Sequence, residues 1–371
     1  MNYFIVLTEE CNLNCSYCRG RVLQQSGQGV SVEAGDDGYD FLPEEMAYPV
    51  EALAGFCSKD PGCGIIFYGA EPLLRIDKIR EIMDKVPAKR FILQTNALLL
   101  GKLPPGCLKR LQGMLISIDG DRETTDGYRG KGVYDICVKN AKLAKERGFS
   151  GELIARMTVA ERTDIFRSVM HLLDLGIFDA VHWQLDAQFW PDCKNRDFRG
   201  WATASYNPGI TKLVEKWLDG LREGRVLRLY PFLGIMQSLL KNERTGLRCG
   251  AGWAHYSIQT DGKIVPCPVM LGMRKFYAGD LSTDPKKLKK FDVGYPCTVC
   301  GIRGLCGGRC LYANAMKHWG IRGFREVCGT VKHLASALQS IRPEVEKLIN
   351  DGVIGFEDLD YTEFNSCEII P

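Results

Sequence analysis

The sequence has no apolar segment long enough to cross a membrane and no strong excess of charge of either sign. No run of about 18 or more uncharged apolar residues occurs along the 371 residues, so no transmembrane helix is predicted. The formal net charge is +3, from 48 basic and 45 acidic side chains, a balance that indicates neither a nucleic-acid partner nor an anionic membrane surface. With 45% hydrophobic and 25% charged residues, a disordered, collagen-like or small disulfide-bonded protein is excluded.

The N-terminus also lacks the basic segment and the small-residue cleavage site of a signal peptide. We therefore expect a cytoplasmic protein, in which thiols stay reduced. Cysteine is the residue type that stands out, with 16 copies spread unevenly along the chain. Clustered cysteines in a reducing compartment favour metal binding or catalysis over disulfides.

Short apolar strands alternate with helical segments through the first half of the chain. The strands are predicted at residues 3–8, 64–68, 90–94, 114–118, 152–158 and 180–185. Helices are predicted at about residues 44–57, 76–86 and 133–147, and helical periodicity returns near the C-terminus at residues 332–350. This alternation indicates an α/β fold with parallel strands joined by helical crossovers. Six such strands predict a partial, TIM-like (β/α)6 barrel, and polar residues follow several of them, where parallel folds place their sites.

We predict that this α/β domain occupies residues 1–235. Gly and Cys become frequent beyond a charged linker near residues 241–248, and a second, cysteine-rich domain is predicted at residues 245–335. Such a segment builds little apolar core, so metal is expected to hold it together. A helical tail is predicted at residues 336–371, and residues 20–45 are predicted to form a loop or mobile insertion.

The first cysteine cluster reads Cys11-x3-Cys15-x2-Cys18, with Tyr17 directly before the third cysteine. Three thiolates on one tight loop can hold three corners of a [4Fe–4S] cubane and leave the fourth iron open to another ligand. An open coordination position is typical of a catalytic metal. The alternatives are an incomplete zinc site or three thiols with no shared role.

Further polar motifs follow the predicted strands. They are Gly69-Ala70-Glu71-Pro72, Gln94-Thr95-Asn96, Ser117-Ile118-Asp119-Gly120 and Asp126-x-Tyr128-Arg129-Gly130. In this order, and together with the cysteine loop, they resemble the radical S-adenosylmethionine (SAM) superfamily. Ala70 replaces the second glycine of that family's GGEP motif, and Ala97 replaces the glycine of its TNG segment.

The resemblance implies a set of SAM contacts. The segment 69–72 would bind the amino group of SAM, with Glu71 as a carboxylate acceptor suited to an ammonium. Ser117 would lie near the ribose or carboxylate, and Arg156 is either a carboxylate partner or a salt-bridging residue. The expected cofactor-binding residues are Tyr17, Gly69, Ala70, Glu71, Pro72, Asn96, Ser117, Asp119, Arg129 and Arg156.

A second cysteine set lies in the C-terminal part. It comprises Cys249, Cys267, Cys297, Cys300, Cys306, Cys310 and Cys328. Asp261-Gly262 predicts a β-hairpin turn between the first two. The seven spacings resemble the SPASM domain, the twin-cluster extension of peptide-modifying radical SAM enzymes. The alternative is a structural zinc ribbon, since Cys-x2-Cys pairs also suit zinc.

The SPASM resemblance implies two auxiliary [4Fe–4S] clusters, and thus three clusters in the chain. Cys297, Cys300, Cys306 and Cys328 would complete one of them. Cys249, Cys267 and Cys310 would hold the other, which lacks an obvious fourth thiolate. The site could be open, His255 could ligate it, or Cys193 or Cys367 could reach it from elsewhere.

The expected function is reductive cleavage of SAM to a 5′-deoxyadenosyl radical and modification of a peptide or protein at carbon. Crosslinking, epimerisation and oxidation are all open outcomes, and a ferredoxin or flavodoxin is the expected electron donor. Formylglycine formation is disfavoured, because Cys267 is followed by Pro268 where sulfatase-maturing relatives carry an aspartate. The alternatives are the same chemistry on a small molecule or cofactor precursor, and a non-catalytic zinc or iron–sulfur protein.

Overall fold

The computed structural model describes residues 1–18, 38–363, 365 and 370–371. Most of the loop predicted at residues 20–45 lies outside these ranges, as does Cys367. The chain divides into two compact units, each assembled from separate stretches of sequence. The first comprises Met1–Ile118, Thr125–Ile154 and Gly250–Phe291, and the second comprises Asp119–Thr124, Ala155–Cys249 and Asp292–Pro371. The domain boundaries given above stay a prediction.

The first unit is built on a mostly parallel β-sheet. Its strands are β1 (Asn2–Val6), β2 (Gly64–Tyr68), β3 (Arg90–Thr95), β4 (Leu111–Ser117), the start of β5 (Glu152–Val159), β7 (His255–Ile258), β8 (Lys263–Val265) and β9 (Gly279–Asp280). Their order across the sheet is β5-β4-β3-β2-β1-β7-β8-β9. Strand β1 pairs in parallel with both β2 and β7, and all five of its residues are buried. This is why β1 reads as a continuous apolar run rather than an alternating one.

Strands β7 and β8 form the predicted hairpin. They pair antiparallel, with Ser257 opposite Val265. Gly262 sits at the turn with a φ of 86°, a left-handed conformation that glycine adopts without strain. The turn signal Asp261-Gly262 is therefore confirmed.

Among the described residues, five helices flank the strands of the first unit. They are α1 (Val50–Cys57), α2 (Ile76–Lys85), α3 (Pro105–Leu108), α4 (Arg122–Arg129), whose first turn belongs to the second unit, and α5 (Val133–Glu146). The helices predicted near residues 76–86 and 133–147 are confirmed within two residues. The helix predicted from residue 44 begins only at Val50, because Pro49 is extended and precedes its first turn.

The second unit contains the rest of β5, strand β6 (Ala180–Leu185) beside it, and a set of helices. These helices are α6 (Ile165–Asp174), α7 (Phe198–Trp201), α8 (Asn207–Arg222), α9 (Tyr230–Lys241), α10 (Arg303–Cys306), α11 (Leu311–Met316) and α12 (Gly320–Asn350). Helix α12 has 31 residues and packs against α8 and α9. It starts twelve residues before the helix that periodicity predicted at 332–350.

Candidate functional site

Three loops of the first unit converge at the carboxyl ends of β1, β2 and β3. The cysteine loop follows β1, and the segment after β2 is tied to it by two hydrogen bonds. The Ala70 backbone N–H donates to the Thr8 carbonyl at 3.0 Å, and the Glu71 N–H donates to the Glu10 carbonyl at 2.9 Å. The third loop, after β3, supplies Asn96. Parallel strands bring these segments to the same edge of the sheet, as predicted.

The Asn96 side chain reaches the cysteine loop directly. Its Nδ2 donates to Cys11 Sγ at 3.8 Å and to Asn12 Oδ1 at 2.8 Å. The surrounding protein desolvates the Cys11 sulfur and raises the pKa of this thiol to about 11, although the residue as a whole is exposed. The charges of Glu71, Cys15 and Cys18 add to that increase. The three thiols and the carboxyl group therefore lie near one another, and binding of metal would favour the thiolates.

Glu71 organises the loop after β3. Its carboxylate is 1% exposed and accepts hydrogen bonds from Thr95 Oγ1 at 2.6 Å, the Asn96 N–H at 2.8 Å and the Leu73 N–H at 3.0 Å. Burial raises the pKa of Glu71 from 4.5 to about 7, although the three hydrogen-bond donors lower it in part. The carboxylate thus fixes the backbone of Asn96, whose side chain contacts Cys11. Recognition of the SAM ammonium by Glu71 stays a prediction.

Two backbone positions in these loops require close packing or a left-handed conformation. Gly69 has a φ of 142°, and a Cβ there would lie 2.6 Å from the Thr8 carbonyl oxygen. Ala97 is fully buried with a φ of 63°, a conformation that is uncommon for residues other than glycine. The substitution of alanine for the family glycine at position 97 therefore preserves the backbone geometry. Ala70 is exposed, and Pro72 is buried at the start of a 3₁₀ turn.

Aromatic and cationic side chains lie beside the third cysteine. The ring of Tyr17 is 5.4 Å from the ring of Tyr128, and the Arg129 guanidinium lies 5.5 Å from the Tyr17 ring centre. The Ser16 backbone N–H donates to the Tyr128 carbonyl at 2.9 Å. The end of α4 therefore anchors the cysteine loop and brings Tyr17 and Arg129 together, and the roles of these two residues toward SAM stay predictions.

The remaining predicted SAM contacts are divided between the units. Ser117 ends β4 in the first unit, and its carbonyl oxygen accepts a hydrogen bond from Cys137 Sγ at 3.9 Å. Asp119 and Arg156 belong to the second unit. Asp119 is buried and accepts the Thr158 N–H at 2.9 Å, and Arg156 Nη2 donates to Gln184 Oε1 at 2.8 Å. Their roles toward SAM stay predictions.

Four of the predicted auxiliary-cluster cysteines line one cavity in the second unit. Cys297 comes from a 3₁₀ turn, Cys300 from the following loop, Cys306 from the end of α10, and Cys328 from α12. The cavity encloses about 340 Å³, including the space at its mouth. The SPASM resemblance implied that these four cysteines form one ligand set, and the second unit brings them together; their binding of a cluster stays a prediction.

The thiols of this cavity are desolvated and influence one another. Burial raises the pKa of Cys297 to about 11, and the charges of Cys328, Cys306 and Cys300 contribute further. Burial likewise raises the pKa of Cys328 to about 11. The Asn314 Nδ2 donates to Cys297 Sγ at 3.4 Å, a contact that has no signature in the local sequence.

The other predicted ligand set is divided between the units. Cys267 belongs to the first unit, whereas Cys249 and Cys310 belong to the second, so their shared cluster stays a prediction. His255 is buried in β7 and its Nε2 lies 3.0 Å from Asn2 Nδ2. That hydrogen bond is what a structural histidine makes, and it favours an open site or a remote ligand over imidazole ligation.

The donor sets fit iron–sulfur clusters by their chemistry, because soft thiolates are the usual cluster ligands. Within the described ranges, no three His, Cys, Asp or Glu side chains are placed to hold one single metal ion. In a cubane each thiolate binds a different iron, so its ligands stand further apart than those of one ion. Nor does any helix of the described chain combine the length and apolar character that crossing a bilayer requires.

Comparison with known proteins identifies the class. Residues 5–172 match the family model of the radical SAM superfamily, and this range contains the cysteine loop, Glu71 and Asn96. This part of the chain is therefore a radical SAM domain, and the resemblance drawn from the sequence motifs is confirmed.

Two relatives illustrate how far along the chain the similarity extends. The chain is 26% identical to an uncharacterized protein of Archaeoglobus fulgidus over 324 residues, which cover 83% of this chain and 73% of the relative. It is 23% identical to the mycofactocin maturase MftC of Mycolicibacterium smegmatis over 333 residues, which cover 83% of this chain and 77% of that protein. Both alignments extend well beyond the radical SAM domain.

Solved structures share the fold at low sequence identity. The chain resembles native anSMEcpe with bound AdoMet and Kp18Cys peptide, with a TM-score of 0.66 and 17% identity, over 94% of this chain and 99% of that chain. It also resembles SuiB of Streptococcus suis bound to the precursor peptide SuiA, with a TM-score of 0.56 and 17% identity, over 85% of this chain and 72% of that chain. The predicted fold class, an α/β radical SAM fold with a cysteine-rich C-terminal part, is therefore confirmed.

Proposed function

We propose that this radical SAM enzyme cleaves SAM reductively at a [4Fe–4S] cluster held by Cys11, Cys15 and Cys18, and modifies a peptide or protein at a carbon atom. The observation that carries the proposal is the linked set of contacts around Cys11. Glu71 holds the Asn96 backbone, and the Asn96 side chain donates to Cys11 Sγ. A cluster loop and a SAM-binding loop joined in this way would respond together to the bound nucleotide.

The chain's own residues have distinct tasks in this proposal. The three thiolates would hold the cluster, which, when bound, supplies one-electron cleavage of SAM to methionine and a 5′-deoxyadenosyl radical. The close packing of Gly69 on Thr8 keeps the loop after β2 near the cysteines. Tyr17 with Arg129 would shield one side of the site. The protein's contribution is thus positioning and exclusion, and the difficult chemistry belongs to the cofactor.

A peptide substrate is supported by the fold. Two solved structures of similar fold contain a peptide, Kp18Cys in one and SuiA in the other. The four-cysteine cavity adds support, because twin-cluster extensions accompany peptide modification in the family that this part of the sequence resembles. We propose two auxiliary clusters in addition to the first, so that the loaded chain contains about twelve irons.

The first experiment tests the radical chemistry without knowledge of the substrate. The protein is reconstituted anaerobically with iron and sulfide, reduced with dithionite and incubated with SAM, and 5′-deoxyadenosine is measured by chromatography. We expect nucleoside formation that is abolished in the Cys11→Ala, Cys15→Ala and Cys18→Ala variants, while about eight irons per chain are retained. A Cys107→Ala variant serves as the control, since Cys107 is buried in the short helix α3 and is assigned no ligand role.

The second experiment addresses the substrate. Synthetic peptides encoded by short reading frames beside the gene are incubated with the reduced enzyme and SAM, and mass changes are followed by mass spectrometry. A mass change that needs Cys11 supports peptide modification. If every peptide stays unchanged while a small metabolite is altered, the substrate assignment is wrong. Zinc without iron or sulfide in the purified protein would contradict the whole proposal.

A further inference from the structure

The four-cysteine cavity contains a buried cation that the sequence motifs did not single out. Arg309 lines the cavity together with Cys306 and Cys328, and the residue is only 7% exposed. Its Nη2 lies 3.5 Å from the Leu185 carbonyl, whereas Nε and Nη1 have no hydrogen-bond partner among the described residues. A buried guanidinium with two unpaired nitrogens is costly, because the desolvation of those nitrogens is not compensated. Such a group points to a negatively charged ligand in the cavity.

A second buried arginine shows what a purely structural role looks like. Arg248 is also 7% exposed, but its Nε, Nη1 and Nη2 donate to the Leu305 carbonyl, the Gly234 carbonyl and Ser238 Oγ at 2.8–2.9 Å. Every nitrogen of this side chain has a partner. Arg309, in contrast, is held in the cavity wall with most of its donors unused.

The backbone around Arg309 is also unusual. Gly307, Gly308 and Arg309, which directly follow Cys306, have consecutive φ values of 71°, 101° and 57°. A Cβ at Gly307 would lie 1.8 Å from the Gly246 carbonyl oxygen, so glycine is required there. Arg309 is not glycine, yet it adopts the left-handed conformation. A non-glycine residue at such a φ is a mild strain that persists where the surroundings enforce it.

We infer that Arg309 is a positioning residue that compensates the negative charge of the cluster held by Cys297, Cys300, Cys306 and Cys328 and thereby raises its reduction potential. This inference rests on the cluster assignment made under the proposed function. A cubane with four thiolate ligands is anionic, and one-electron reduction adds a further negative charge to the iron–sulfur core. A buried cation beside it stabilises the reduced form more than the oxidised form. The electron comes from a low-potential one-electron donor, which is dithionite in the experiment below.

The test is a redox titration monitored by electron paramagnetic resonance on the full chain. All variants are made in the Cys11→Ala/Cys15→Ala/Cys18→Ala background, so that only the auxiliary clusters contribute to the signal. The redox couple that disappears in Cys300→Ala identifies the four-cysteine cluster. In Arg309→Gly we expect the reduced-to-oxidised ratio at a fixed potential to fall about tenfold, which is about 59 mV for a one-electron couple. Arg309→Lys, which keeps the charge, should restore more than half of the shift.

Two controls separate charge compensation from structural support. Lys332 lines the same cavity but is exposed, so solvent screens its charge and Lys332→Gln should change the ratio less than threefold. Arg309→Gly relieves the left-handed strain and should not lower the thermal stability of the protein. An unchanged potential in Arg309→Gly with iron retained overturns the inference. Loss of the cluster from both the Gly and the Lys variants also overturns it, because Arg309 would then be a structural support.

The outcomes also distinguish this inference from the proposed function. If the clusters form but SAM is not cleaved, the proposed enzymology fails while the titration still decides the role of Arg309. If SAM is cleaved and the potential ignores Arg309, only this inference fails. A chain that takes up no iron at all would overturn both.

Discussion

Replacing Glu71 with glutamine tests whether the buried carboxyl group in the loop after β2 is protonated in the folded protein. Burial raises the pKa of Glu71 from 4.5 to about 7. The folded protein therefore holds a proton that the unfolded chain has already lost between these two values. The contribution of the protonated Glu71 to the free energy of unfolding is fully present below about pH 4.5 and is lost as the pH rises through about 7.

The magnitude follows from the size of the pKa shift. A shift from 4.5 to about 7, at about 1.4 kcal/mol per unit, corresponds to a loss on the order of 3 kcal/mol. Glutamine cannot titrate, so Glu71→Gln should remove this pH dependence. It should also impose a nearly pH-independent cost of about 1–3 kcal/mol, because its amide NH2 cannot accept the hydrogen bond from the Asn96 or Thr95 donor.

The assay is anaerobic urea unfolding of both proteins at several values between pH 5 and 8. The free energy of unfolding of the wild type minus that of Glu71→Gln is compared across pH. Burial also raises the pKa of Asp186 to about 6, but both proteins contain Asp186, so its contribution to the pH dependence cancels in this difference. Glu215→Gln serves as a control, since Glu215 is exposed on α8. A difference that does not change with pH would refute the reasoning, and would mean that the Thr95, Asn96 and Leu73 donors keep the carboxylate ionised.

Three further substitutions have defined outcomes. Gly69→Ala should destabilise the protein by about 1–3 kcal/mol in urea unfolding, because its Cβ would lie 2.6 Å from the Thr8 carbonyl oxygen. The same clash should weaken SAM binding measured by calorimetry, and an unchanged affinity for SAM would contradict the close packing of these loops. Arg129→Gln should cost about 1 kcal/mol by loss of the contact with the Tyr17 ring, and a double-mutant cycle with Tyr17→Leu should show coupling. In Gly308→Ala, the new Cβ would lie 2.6 Å from the Val293 side chain and should disturb the turn beside Cys306. Metal analysis should then find about four fewer iron atoms per chain, and a full iron content would contradict the tightness of this turn.

Local sequence was sufficient for the strands and for the cysteine loop. Strand β2 (Gly64–Tyr68) and strand β6 (Ala180–Leu185) begin and end at the predicted residues, because each is a short apolar run bounded by turn residues or helical segments. The grouping of Cys297 with Cys300, Cys306 and Cys328 came from the resemblance to the SPASM domain.

Tertiary contacts explain what the sequence did not show. The fixing of Asn96 by Glu71 depends on burial and on two hydrogen bonds, from Thr95 at the end of β3 and from Asn96 in the loop after it, and neither has a local signature. Arg309 follows two glycines that signal a turn, but its unpaired guanidinium nitrogens are visible only in the packed cavity. The distribution of the predicted SAM contacts Asp119 and Arg156 to the second unit likewise depends on long-range packing.

The position of β1 between β2 and β7 has a consequence for synthesis on the ribosome. Asn2 pairs with Gly64 on one side and with His255 on the other, so one edge of this apolar strand lacks its neighbour until more than two thirds of the polypeptide has been translated. At about 5–20 residues per second, that interval lasts at least ten seconds. An exposed edge of this kind is prone to pair with other chains, and truncated products that stop before Gly250 should aggregate unless a chaperone shields them.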